Sequence, residues 1–383
     1  MIRDWAKRHM EGDRVIWFVV FALSALGILV VYSASGSLAY RLMEGNTEHY
    51  LFKHLALVML SLGAMWVTHK IDYRYYSKFA RLALWISIGL MLVTWKFGVS
   101  VNEATRWLYI PVINQSFQPA DLAKLALIAS LAAMLARHQK DFKPALIPIL
   151  LWCGAVCGII AMTNFSTAAL LFFTCLLVMF IGRMPFKYLL LYVLIGAMAG
   201  SLALFVGQRG KTVMSRVTSY WESSQTTLPD QSKYSNIAIA TGGLVGKGWG
   251  QSEQRNFLPL AYSDFIYAII IEEYGLAGGF VVLLLYLILL YRGMRAVQTS
   301  TYLFGSLLSA GLSFALILQA IVNMAVATGV IPITGLPLPL VSLGGSSLLF
   351  TGIAFGMILS VSKGERKEAE DISFNTPKDV VAA

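Results

Sequence analysis

Ten apolar runs, each long enough to cross about 30 Å of hydrocarbon, leave this chain few folds to choose from. Their approximate limits are 15–35, 51–69, 79–98, 119–137, 144–162, 165–183, 186–207, 264–291, 304–328 and 345–362. A backbone in lipid must satisfy its own hydrogen bonds, so runs of this kind predict helices. The expected fold class is an all-α polytopic membrane protein of about ten helices. Composition agrees: 57% of residues are hydrophobic, only 13% are charged and the mean hydropathy is +0.68. A soluble globule of this length would lack the polar surface to cover itself. The first run follows a charged start and has no small-residue cleavage pattern, so it is expected to stay as a first helix.

The net charge of +10 is a topology signal here, and it does not point to nucleic acid. Basic residues gather in alternate connections: Arg3 to Arg14, Lys70 to Arg81, Arg137 to Lys143, Arg183 and Lys187, Arg292 and Arg295, and Lys363 to Lys367. The positive-inside rule makes that face cytoplasmic, and an even number of spans puts both termini there. Segments 99–118 and 208–263 are then extracytoplasmic. The second holds six basic residues, but long loops translocate largely regardless of charge. This gives a cytoplasmic N-terminus at 1–14, a membrane domain at 15–362 and, from 363 to 383, a charged tail expected to be disordered. Cys153, Cys157 and Cys175 lie within apolar runs, and Cys153 and Cys157 lack the partners of a metal site.

The run from Asn256 to Gly275 carries a carboxylate, Asp264, where a long polar segment meets an apolar one. A carboxylate partly desolvated at that boundary suits a general base. The plainer alternative is a helix start capped by Ser263 or Asp264. Glu272 and Glu273 follow inside the apolar run, and acids at membrane depth are usually functional. At about 100° per residue, Glu272 lies about 80° round from Asp264 and Glu273 points away. One acid is therefore expected to share the cavity of Asp264, and the other to need a separate partner.

Other polar residues cluster at the same side. Loop 99–118 carries Glu103, Thr105, Arg106 and Trp107, and Pro119 suits the first turn of the fourth helix. Asp121 and Lys124 stand three apart on one face, either pairing to hold helices together or lining a polar cavity. The glycines from Gly242 to Gly250 allow close backbone approach, to a phosphate or as a flexible loop, and Lys247, Arg255 and Arg209 add cationic character. Segment 329–347 holds three prolines and four glycines without a charge. It is too broken for a helix and too apolar for a solvated loop, so it is expected to be re-entrant or interfacial, buried against protein or lining a cavity. Gln319 and Asn323, four apart, would then serve its freed backbone.

Taken together, these segments resemble the SEDS family (shape, elongation, division and sporulation) across essentially all ten spans. The matching residues are Arg106-Trp107; Gln118-Pro119 to Lys124; Gly242 to Gly248; Leu258-Pro259 through Ser263-Asp264 to Glu272-Glu273 and Gly275; and Pro332 to Ser347. The resemblance implies a peptidoglycan glycosyltransferase of the bacterial inner membrane. Such an enzyme polymerises lipid II, releases undecaprenyl pyrophosphate and works beside a class B penicillin-binding protein, a transpeptidase. The family's essential aspartate corresponds to Asp264. The compact outer loop and the run from Leu336 to Ser347 look more like the division (FtsW) branch than the elongation (RodA) branch, implying other divisome partners and a septal location. Asp121 departs from the usual Glu, Asn164 lacks the family's acid and Tyr234 replaces a common Gln.

On that reading Asp264 takes the acceptor's hydroxyl proton. Arg106, Asp121, Lys124, Lys247, Ser263 and Glu272 bind substrate or its pyrophosphate, with or without a divalent cation such as Mg or Mn. The rival readings are a lipid II flippase, for which intramembrane Lys124, Glu272 and the broken segment make equal sense, an elongation-type polymerase, and a noncatalytic scaffold. Polar residues crowd towards one half of the membrane, which favours the enzyme.

Overall fold

A computed structural model of the chain describes residues 10–36, 47–101, 104–110, 115–206, 210, 214–216, 218, 230–300 and 302–375. Among the described residues, ten apolar helices form the bundle: α1 (Arg14–Ala34), α2 (Thr47–Lys70), α3 (Tyr73–Phe97), α4 (Pro119–Arg137), α5 (Lys143–Thr163), α6 (Phe165–Ile181), α7 (Phe186–Val206), then α9 (Ile266–Thr299), α10 (Leu303–Ala327) and α11 (Gly345–Asn375). Between α7 and α9 lies a more polar helix, α8 (Asp230–Gly242). Eight of the ten are long and apolar enough to cross a membrane, and α6 and Phe186–Leu202 of α7 are shorter apolar helices. Large apolar side chains such as Phe18, Trp85, Phe186 and Met198 are exposed on the outside, as hydrocarbon contact requires. The protein is a multi-pass membrane protein. Helices α4 and α10 and the apolar part of α11 are buried along most of their length, whereas α2 and α3 are largely exposed.

The ends of α1, α9 and α11 are tied together. Asp13 caps α1 by accepting from the Val15 N–H at 2.8 Å, pairs with Arg292, and donates its own N–H to Ser362 Oγ at 3.0 Å. Asp13 and Ser362 therefore meet at one end of the bundle, as an even number of crossings between them demands.

Four boundaries differ from the sequence reading. Segment 99–118 contains an antiparallel sheet, β1 (Val99–Val101), β2 (Ala104–Ile110) and β3 (Gln115–Phe117). Its Val, Trp, Tyr and Ile content favours strand over loop. Segment 208–263 is partly helical through α8. Helix α9 starts at Ile266, after Asp264, and runs on to Thr299. Helix α11 continues past Lys363 to Asn375, where a disordered tail was expected. Lys, Glu, Arg and Ala in that stretch are good helix formers, and Pro377 disfavours helix at the residue before it.

Helix α9 is interrupted at Gly275, with φ +72° and ψ −177°. The interruption frees backbone groups, and the glycine-rich loop after α8 takes them up. The N–H groups of Lys247 and Gly248 donate to the Glu272 and Glu273 carbonyls at 2.9 and 3.0 Å, and those of Leu276 and Ala277 donate back to Gly243 and Leu244 at 2.9 and 3.2 Å. A Cβ on Gly242 would sit 2.1 Å from the Ile271 carbonyl oxygen, so only glycine allows this approach. The glycines bring backbone to backbone, and the result is neither a loop open to phosphate through the Lys247 and Gly248 N–H groups nor a flexible one.

Candidate active site

Asp264 sits in a turn, not on a helix. The chain reverses at Leu260, a non-glycine residue at φ +58°, and the N–H groups of Ser263 and Asp264 both donate to its carbonyl, at 2.9 and 3.1 Å. Three successive carbonyls of this turn are held from outside. That of Tyr262 accepts the Leu343 N–H at 3.0 Å, that of Ser263 accepts Ser342 Oγ at 2.6 Å, and that of Asp264 accepts Asn323 Nδ2 at 2.9 Å. The carboxylate accepts from Ser263 Oγ at 3.0 Å. Its other oxygen faces Gly335, where a Cβ would come within 3.6 Å.

The segment from Gly329 to Gly344 is non-helical, carries buried Leu336, Leu338, Leu340 and Val341, and lines the cavity below, as expected of an apolar broken segment. Gln319 Nε2 donates to the Pro337 carbonyl at 2.8 Å and Asn323 Nδ2 to that of Leu336 at 2.7 Å. The Tyr286 hydroxyl donates to the Pro339 carbonyl. Asn323 thus binds the Asp264 turn and the broken segment with one amide, fixing each against the other.

Asp264 opens onto a cavity of 780 Å³ whose wall also carries Ser263, Asp121, Lys124, Asn164, Lys53 and Arg216. Lys124 Nζ pairs with Asp121 Oδ1 at 2.8 Å, and Ser346 Oγ donates to Asp121 Oδ2 at 3.3 Å. The pair is therefore both an internal ion pair and part of the wall. Arg216 is anchored through Nη1 to the Ile333 carbonyl at 3.0 Å. Three cations and two carboxylates leave the lining one net positive charge. Lys53 and Arg216 escaped the sequence reading because a basic residue near a helix end or in a long loop reads as a topology or solubility feature.

Two of the residues that the sequence placed at the site, Glu272 and Lys247, lie elsewhere. Glu272 is fully buried but does not line the cavity. It accepts from Lys247 Nζ at 2.9 Å, Ser252 Oγ at 2.5 Å and the N–H groups of Glu253 and Gln254 at 3.1 and 3.3 Å. Lys247 is committed to this cluster, and the Glu272 carboxylate holds its pKa above the ordinary lysine value. The helical-wheel argument fails because Asp264 precedes α9 and does not share its geometry. Glu273 finds a separate partner in Ser33, whose hydroxyl and carbonyl also accept from Arg255 Nη1 at 3.0 Å. Arg106 lies on β2 beside Trp107, which lines the cavity; the Arg106 side chain, Glu103 and Arg209 lie outside the described residues.

No group of three or more His, Cys, Asp or Glu side chains is placed to hold a metal among the described residues. Asp121 is engaged by Lys124, and Asn164 Oδ1 caps α6 by accepting the Thr167 N–H at 3.2 Å.

Residues 13–367 match the family model that describes FtsW, RodA and SpoVE as cell cycle proteins. The chain belongs to this family. Among its curated relatives, stage V sporulation protein E of Bacillus subtilis is 32% identical over 94% of this chain and 99% of its own. A probable peptidoglycan glycosyltransferase FtsW of Thioalkalivibrio sulfidiphilus is 35% identical over 90% of this chain and 88% of its own. A solved chain described under structural coordination of polymerization and crosslinking by a peptidoglycan synthase complex superposes with a TM-score of 0.74 at 26% identity, covering 92% of this chain and 98% of the other. The rod shape determining protein RodA of Thermus thermophilus gives 0.69 at 25% identity, over 92% and 97%. The SEDS resemblance read from the motifs is borne out, and relatives named FtsW accord with its division branch.

Proposed function

We propose that the chain is a peptidoglycan glycosyltransferase that polymerises lipid II in septal wall synthesis, with Asp264 as its general base. The observation that carries this reading is the placement of the Asp264 carboxylate on a cavity shared with Lys124, Lys53 and Arg216. The 4-hydroxyl of the acceptor sugar attacks the anomeric carbon of the donor and inverts it. The new C–O bond forms as the bond to undecaprenyl pyrophosphate breaks, Asp264 takes the hydroxyl proton, and the pyrophosphate leaves with the electron pair. The cavity cations stabilise its developing charge. An apolar groove of 250 Å³ lined by Met91, Trp95, Ile159 and Met162 shares Gln118 with the cavity, and suits a prenyl tail. A divalent cation of the Mg or Mn type would neutralise pyrophosphate if recruited, with Asp264, Asp121 and Asn164 as the cavity's oxygen donors, although no group of three or more acids, His or Cys among the described residues forms a cage for it.

A flippase would need a polar path to the far end of the bundle. Beyond Lys124 the space narrows to a 40 Å³ pocket in which Thr174 and Thr351 are the polar residues next to Leu, Ile and Ala side chains, too small to pass a disaccharide headgroup, which supports catalysis at one face. Lys and Arg at the end where Asp13 meets Ser362 support a cytoplasmic membrane location with both termini cytoplasmic. FtsW-named relatives support the septum. The solved synthase complex supports a class B penicillin-binding transpeptidase as partner, with other divisome proteins around it. The test is glycan-strand synthesis from purified lipid II, by the protein alone and with that partner. Strands in either case support the reading, and transbilayer movement of lipid II without strands contradicts it.

A further inference from the structure

At the opposite end of α4 from Asp121 lies a second polar cavity that the proposed reaction does not use. It measures 190 Å³ and is lined by Lys78 and Arg81 of α3, Ser130 and Arg137 of α4, and Trp152 of α5 among others. A single water needs about 10–15 Å³, so a polyatomic ion fits. Three cations converge there and no carboxylate lines it. The acids nearest in sequence to Lys78 and Arg137 have partners of their own: Asp72 pairs with Arg74 at 2.7 Å, and Asp141 accepts the Lys143 N–H at 3.0 Å. Ser130 is 6% exposed, and its hydroxyl has no hydrogen-bond partner. A buried hydroxyl without a partner costs free energy that a bound acceptor would restore.

We propose that this cavity between α3, α4 and α5 is a phosphate-binding site. Two arginines can clamp a phosphoryl oxyanion, Lys78 adds a point charge, and Ser130 Oγ supplies a donor from below. The location between membrane helices, at the end where the basic residues gather, matches the setting in which anionic headgroups are held. An anionic phospholipid headgroup and a free phosphate share this chemistry, and the experiment separates them.

The full-length protein in neutral detergent is titrated with short-chain phosphatidylglycerol, and separately with inorganic phosphate, following its thermal transition. Saturable stabilisation by the lipid alone assigns a headgroup site, and stabilisation by phosphate alone assigns a soluble ligand. For Arg81→Gln with Arg137→Gln, the midpoint concentration should rise about thirty-fold, from the loss of two cations. Ser130→Ala keeps every charge and should raise it by up to about tenfold, which keeps the test open if the double variant does not fold. No saturable shift with either probe, or midpoints unchanged in every folded variant, would overturn the proposal.

Discussion

Glu272→Gln separates a residue that organises the site from one that acts in it. The carboxylate accepts four hydrogen bonds and is fully buried. An amide keeps one acceptor oxygen and turns two N–H donors towards an ammonium, a hydroxyl and two backbone N–H groups, so at least one contact becomes donor against donor. Removing one partner of a buried ion pair costs about 3–5 kcal/mol. Lys247 is 23% exposed and lies 3.6 Å from the Glu253 carboxylate, so its charge is not stranded. The low end, about 3 kcal/mol, is expected, which for a chain of this length corresponds to a fall in Tm of roughly 4 °C. Thermal unfolding in detergent measures this, with strand synthesis per folded molecule measured well below the transition. The Tm should fall while turnover of the folded protein stays of wild-type order. Glu272→Leu should lower the Tm further than Glu272→Gln, because it leaves Ser252 Oγ and the Glu253 and Gln254 N–H groups without any acceptor. An unchanged Tm with lost turnover would refute the reasoning and return Glu272 to the chemistry.

Lys124→Met should abolish most strand synthesis and also lower Tm, since Asp121 is left buried with only Ser346. Adding Asp121→Asn should recover the Tm but not the activity, and recovery of both would make the pair purely structural. Asn323→Leu orphans the Asp264 and Leu336 carbonyls, at about 1–3 kcal/mol each; unfolding and turnover should suffer together, and loss of neither would remove its role in joining the two segments. Asn164→Asp should keep the α6 cap, which a helix N-terminus favours, and leave one oxygen on the cavity wall to attract a hard cation. Strand synthesis should then reach half its maximum at lower divalent-cation concentration than in the wild type, and superimposable titrations would place residue 164 outside any cation site.

Sequence periodicity located all ten apolar helices, because a lipid-facing run must be apolar over a fixed length whatever it packs against. It also found the working pair Gln319 and Asn323, since a proline-broken segment at membrane depth must have donors nearby. What it lost depends on distance in space. Glu272 was assigned to the cavity by extending α9 back through Asp264, whereas the chain turns sharply at Leu260. Glycines 242–248 looked fit for phosphate because a close approach was legible and its partner, the backbone broken at Gly275, was not. Lys53 and Arg216 reach the cavity from segments whose tertiary placement no local pattern encodes. The helical extension of α11 lies in a polar stretch, where composition separates poorly between a solvated helix and a disordered tail.

The central claim is that the Asp264 carboxylate receives the proton of the attacking hydroxyl. Asp264→Asn keeps the shape of the turn, whose three external hydrogen bonds all go to backbone carbonyls, and removes only the proton acceptor. Strand synthesis from purified lipid II, with the transpeptidase partner present and folded protein matched by Tm, should fall to background in this variant while its Tm stays within a few degrees of wild type. Glycan strands made by the folded Asp264→Asn protein at a rate near wild type would contradict the account.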